Sequence, residues 1–118
     1  MKTLLLLLPL FLAATASATS MKAVVGGWTP IKNLSDPHVI DIANFAVSEY
    51  NKQGNSKLEL SKVVKGETQV VAGVNYKLDI QAKADDNGAV GYYEAVVWEK
   101  EWEKFRQLTS FKPIYHIN

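Results

Sequence analysis

Gln69-Val70-Val71-Ala72-Gly73 places apolar side chains where a chain reversal belongs. On either side, residues 57–68 and 75–83 read as strands. Tyr76, Leu78, Ile80 and Ala82 alternate with Lys77, Asp79, Gln81 and Lys83, while Leu58 and Leu60 alternate with Lys57, Glu59 and Ser61. Such alternation sets one face of a strand on a core and the other in water. The connection between two strands of this kind is expected to be polar, built from Gly, Asn, Asp or Pro. Here only Gly73 supplies that chemistry. Val70, Val71 and Ala72 at a hairpin tip expose apolar surface, which invites aggregation unless a partner covers it. Local rules are broken in this way mainly at functional sites. The tip therefore reads as a small apolar wedge meant for burial in a partner.

Working outward, Asp36 can cap a helix whose first residue is Pro37, where a missing N–H costs nothing. Val39, Ile42, Ala43, Ala46, Val47 and Tyr50 recur at three- and four-residue spacing, one apolar stripe, and Gly54 suits a left-handed end cap. The spacing predicts a helix over residues 37–52. Beyond the second strand, Asp85-Asp86-Asn87-Gly88 is a conventional polar turn. Residues 92–98 and 105–111 read as two further strands, with Trp98 a sheet residue. One helix followed by four antiparallel strands predicts an α+β fold, an antiparallel β-sheet wrapped around one long α-helix. In such a meander the first and third hairpin connections share one edge of the sheet. The first is the apolar pentapeptide. The third spans residues 99–104 and holds Trp102 among Glu99, Lys100, Glu101, Glu103 and Lys104. An aromatic ring in so charged a run is unsuited to a core and suits a contact anchor.

Four motifs in order now carry a resemblance: Gly26-Gly27, the helix segment Ile42-Ala43-Asn44-Phe45-Ala46-Val47 with Tyr50-Asn51, the Q-V-V-A-G pentapeptide, and Trp102. Together they resemble the cystatins, and the helix segment resembles the plant branch, the phytocystatins. The likeness covers nearly everything after the first twenty residues. It implies a reversible, competitive inhibitor of papain-like cysteine proteases. Gly26 and Gly27, then Gln69, Val70, Val71, Ala72 and Gly73, and finally Trp102 would plug the active-site cleft. It also implies a short strand before the helix, and a monomer able to form a domain-swapped dimer through the tip. The family usually has proline before this tryptophan, whereas this chain has Glu101, which removes a fixed φ and adds a charge. That departure supports the alternative, a secreted non-inhibitory binding or storage module on the same scaffold.

The chain of 118 residues suits one domain. Lys2, the apolar run from Leu4 to Leu12 and Ala14-Thr15-Ala16-Ser17-Ala18 read as a secretory signal peptide over residues 1–18, cleaved within 16–20. A single domain over 19–118 follows, with a flexible strap at 19–30. The expected location is outside the cell or in the vacuole, reached by the secretory pathway, with no membrane role once the signal is removed. Without Lys2, the 13 basic side chains become 12 against 12 acidic ones, so nothing draws nucleic acid. The chain has no cysteine, which excludes a thiol nucleophile, zinc–thiolate chemistry and stabilising disulfides. His38 and His116 have no spaced partners resembling a metal or catalytic set and read as solvated surface histidines. No cofactor, metal or enzymatic activity is expected. Asn33-Leu34-Ser35 is an N-glycosylation sequon, which permits the modification without requiring it.

Overall fold

The computed structural model describes residues 26–115. The signal peptide, its cleavage region, the first part of the strap and His116 lie outside the described residues. Strands β1 (Trp28–Pro30), β2 (Leu58–Val71), β3 (Gly73–Ala84), β4 (Val90–Lys100) and β5 (Phe105–Pro113) form one antiparallel sheet in sequence order. Helix α1 (Pro37–Gly54) runs between β1 and β2 in the chain and packs on β2, β3, β4 and β5. The α+β architecture and the short leading strand are as the sequence reading expected.

Local chemistry explains the helix. The Asp36 carboxylate accepts the His38 backbone N–H at 2.9 Å, and Pro37 occupies the first helical position. The far end corrects the sequence reading, because the helix continues through Gly54 and the left-handed cap is Asn55, at φ 57°. Asparagine tolerates that conformation, and its N–H closes on the Asn51 carbonyl. Asn51 also binds Leu58 through both its side-chain amide groups, tying the helix end to the start of β2.

The stripe of Val39, Ile42, Ala43, Ala46 and Val47 is buried against Val63, Leu78, Ile80, Ala95 and Val97. Ile42, Leu78, Ile80 and Val97 are fully enclosed, each contributing roughly 1.5–3 kcal/mol of apolar burial. Tyr50 stacks on Phe111 at 4.1 Å between ring centres, closing the core near the helix end. Bulges between Leu60 and Lys62 and between Val63 and Lys65 shift the register of β2. Each bulge bends a strand and increases its twist, which lets the sheet curve over the helix.

The pentapeptide differs from expectation in one respect. Gln69 and Val70 remain in the ladder opposite Asn75 and Val74, and Val71 pairs with Gly73. Only Ala72 lies outside the strands. Valine favours extended backbone, so the strands run on almost to the point of reversal. The third connection is also tighter, with β4 reaching Lys100 and the reversal confined to residues 101–104.

Candidate functional site

The hairpin tip is locked from below. Gly73 has φ +94°, and a Cβ built there would run into the Glu99 carbonyl oxygen and lie 2.7 Å from Lys100 Cγ. Only glycine lets β3 leave the turn this close to β4. The Trp98 indole N–H donates to the Ala72 carbonyl at 2.8 Å, fastening the turn to β4. Asn75 donates to the Gln69 amide oxygen at 2.8 Å, and Gln69 donates to the Gly26 carbonyl at 2.9 Å. The Gly26 N–H in turn donates to the Val70 carbonyl at 3.3 Å. Strap, tip and β4 therefore meet at one end of the sheet. Above these fastenings Val70 and Val71 stand 44% and 38% exposed. Trp28, beside Gly27, pairs with Gln69 and carries Lys77 Nζ 4.3 Å from its ring centre.

Trp102 leaves from the same end. Glu101–Glu103 form one 3-10 turn, closed by Lys104 at φ 52°, whose N–H donates to the Glu101 carbonyl at 3.0 Å. Trp102 is 66% exposed. Lys100 Nζ sits 4.8 Å from the ring centres of both Trp98 and Phe105 and 3.2 Å from Glu103, bracing the turn. A hollow of about 440 Å³ beside Leu58 and Ala84 lies at the opposite end of the sheet.

Beneath the turn lies a polar network that corrects the reading of His38 as a solvated surface residue. Its Nε2 is 2.7 Å from Glu99 Oε1 and 3.6 Å from Glu101 Oε2, and its ring meets Tyr76 edge-on at 5.8 Å. Glu99 is buried, so its charge needs partners. Arg106 supplies them, donating from Nε at 3.0 Å and Nη2 at 2.7 Å to Oε2, while Nη1 donates to Asp41 at 3.0 Å. Burial lowers the pKa of Arg106, but these bonds more than offset it and leave it raised. The Tyr76 phenol is pushed up as well, first by burial and then by the charges of Glu99 and Glu101. His38, Glu99 and Glu101 bring three donor atoms within 4.8 Å, the spacing of a metal-ligand set. Arg106 and His38 already engage the Glu99 carboxylate, so its oxygens are taken up by a hydrogen-bonded network.

Of the residues singled out from sequence, Gly26, Gln69, Val70, Ala72 and Gly73 are drawn together by direct contacts, with Gly27 and Val71 between them. Trp102 shares their end of the sheet through β4. Asn33 is exposed, its side-chain oxygen accepting the Ser35 N–H at 3.0 Å. Sequence reasoning missed Trp98, Asn75, Glu99, Arg106 and His38 as supports. One signal was available: inward positions Tyr93, Ala95 and Val97 continue by alternation to Glu99, a carboxylate on the core face.

Comparison with known proteins decides the family. A "Cysteine proteinase inhibitor 5" of Arabidopsis thaliana is 52% identical over 109 residues, 92% of this chain and 88% of that protein. The chain belongs to the plant cystatins. A "Cysteine proteinase inhibitor 1" of Actinidia chinensis var. chinensis is 56% identical over 93 residues, 79% of this chain and 78% of the relative. A family model described as "Aspartic acid proteinase inhibitor" matches residues 31–114. Among solved structures, the salivary cystatin of the soft tick Ornithodoros moubata superposes with a TM-score of 0.68 at 25% identity, covering 78% of this chain and all of that one. The relatives of this cystatin are thus named as protease inhibitors and not as enzymes.

Proposed function

We propose that the protein is a reversible, competitive inhibitor of papain-like cysteine proteases. The strap at Gly26-Gly27, the hairpin tip and Trp102 enter the active-site cleft as one wedge. The observation that carries this is the fastening of an exposed apolar tip to β4 through the Trp98–Ala72 bond. A tip held rigid loses little ordering entropy on docking, so the burial of Val70 and Val71 is expressed as affinity. Trp102 adds an aromatic anchor of the type that dominates interface energies. The wedge presents side chains and a tight turn, not an extended peptide, so it blocks the cleft without offering a bond for cleavage. Names of relatives such as "Cysteine proteinase inhibitor 5" support the target class. The signal-like residues 1–18 support action on the secretory route, outside the cell or in the vacuole.

The test is a titration of papain, with pepsin in parallel, using the purified chain from residue 19 onward. Competitive loss of papain activity supports the proposal. Inhibition of pepsin alone moves the target to the aspartic class named by the family model. Inhibition of neither leaves the non-inhibitory module, which Glu101 favours. The monomer is the inhibitory form. Heating at high concentration should yield a swapped dimer that no longer inhibits, because the tip becomes part of a continuous strand.

A further inference from the structure

The wedge leaves unused the polar network under its third connection. We propose that His38 is a positioning residue whose protonation clamps Glu101, and with it the turn that carries Trp102, making inhibition stronger in acid. This inference rests on the protease-inhibitor reading.

The geometry separates a fixed part from a movable part. Glu99 is the fixed part, buried and held by two Arg106 bonds on Oε2, with Oε1 facing His38. The neutral imidazole with its proton on Nε2 already satisfies that oxygen. Adding the second proton makes the bond to Glu99 charge-assisted and gives the ring a full charge. That charge faces Glu101 Oε2 at 3.6 Å. Glu101 is the movable part, 73% exposed at its side chain and the first residue of the 3-10 turn. Trp102 is the next residue, so holding Glu101 limits the orientations of the anchor before docking.

The ring sits among charged groups from several elements. On its own helix, Asp36 accepts the His38 N–H and Asp41 lies one turn on. Glu99 from β4 and Glu101 from the turn face it, and Tyr76 from β3 meets it edge-on. Against these four carboxylates stand the Arg106 guanidinium from β5, itself shared between Glu99 and Asp41, and the positive end of α1. Imidazole is the side chain whose charge ordinarily changes between about pH 5 and 8, the interval that separates acidic compartments from neutral ones.

The experiment measures papain inhibition constants at pH 7.5 and pH 5.0 for the parent, His38→Gln and Glu101→Gln. Papain's own pH dependence cancels in the ratio of variant to parent. Glutamine at 38 can still donate to Glu99, so the fold is kept and only the titration is lost. The parent should gain about two- to fivefold over each variant on acidification, the range expected of an exposed ion pair. NMR of the free protein supplies a readout independent of any protease. The Trp102 indole and Glu101 amide signals should shift with the His38 ring titration in the parent and stay flat in His38→Gln. Ratios independent of pH together with unmoved Trp102 signals overturn the proposal, as does a full pH response in Glu101→Gln. If the parent fails to inhibit papain at either pH, the functional reading falls, and the NMR titration alone decides whether His38 holds the turn.

Discussion

Gly73→Ala tests the junction on which the wedge depends, and the chain contains its own control. Gly73 and Gly88 both have positive φ, +94° and +71°. A Cβ at Gly88 meets nothing within 4 Å, so Gly88→Ala carries only the backbone penalty, about 1–2 kcal/mol. At Gly73 the same penalty is joined by a collision with the Glu99 carbonyl, which is backbone and has little room to yield. Relief requires β3 to lift from β4, which breaks the Trp98–Ala72 bond, worth about 0.5–1.5 kcal/mol. The expected loss is therefore about 1.5–3.5 kcal/mol for Gly73→Ala, a fall in Tm of about 6–28 °C for a domain of this size. Gly88→Ala should lose about 4–16 °C on the same scale. Circular dichroism melts measure both, and papain titration at a temperature where each variant is folded measures function. Folded Gly73→Ala should inhibit at least about tenfold more weakly, since displacing the tip need cost only about 1.4 kcal/mol of binding. Equal melting losses with undiminished inhibition by Gly73→Ala would refute the view that contact with β4 positions the tip.

Val71→Asp places a charge in a tip that must lose its water on docking. It should abolish papain inhibition with little change in Tm, Val71 being 38% exposed in the free protein; a folded variant that inhibits like the parent removes the wedge. Trp102→Ala should weaken binding by about 1–3 kcal/mol without destabilising the fold; calorimetric titration against papain reads the first and a thermal melt the second. Asp79 pairs across the outer sheet face with Glu94, and its pKa is raised, first by burial and then by that neighbour. A raised native pKa means that the folded state holds the proton more tightly. The associated stability is present below the unfolded value and is lost as pH rises through the native one. Asp79→Asn should accordingly raise Tm at pH 7 and change it little at pH 3, and melts at the two values check the sign.

The strands of this protein are legible because β3 and β4 alternate cleanly, and the helix because one apolar stripe follows a good cap. That the tip and Trp102 share one edge follows from counting hairpins. What failed were the ends of elements: Gly54 gave way to Asn55 as the cap, and the pentapeptide proved to be strand on both sides of Ala72. Those outcomes turn on a few hydrogen bonds and on local competition between conformations of similar energy. His38 failed for a different reason, because its partner Glu99 lies 61 residues away.

Periodicity, caps and turn residues act within one element, so the sequence by itself determined the α+β class, the apolar tip and the isolated tryptophan. Contacts between elements remote in the chain were decided only by the tertiary structure. They bring the Ala72 carbonyl to Trp98, Gly73 against Glu99, and His38 and Arg106 to the same buried carboxylate. The physical reason is that a buried charge or an unpaired carbonyl must find a partner in space, and the sheet register chooses which residue that partner is.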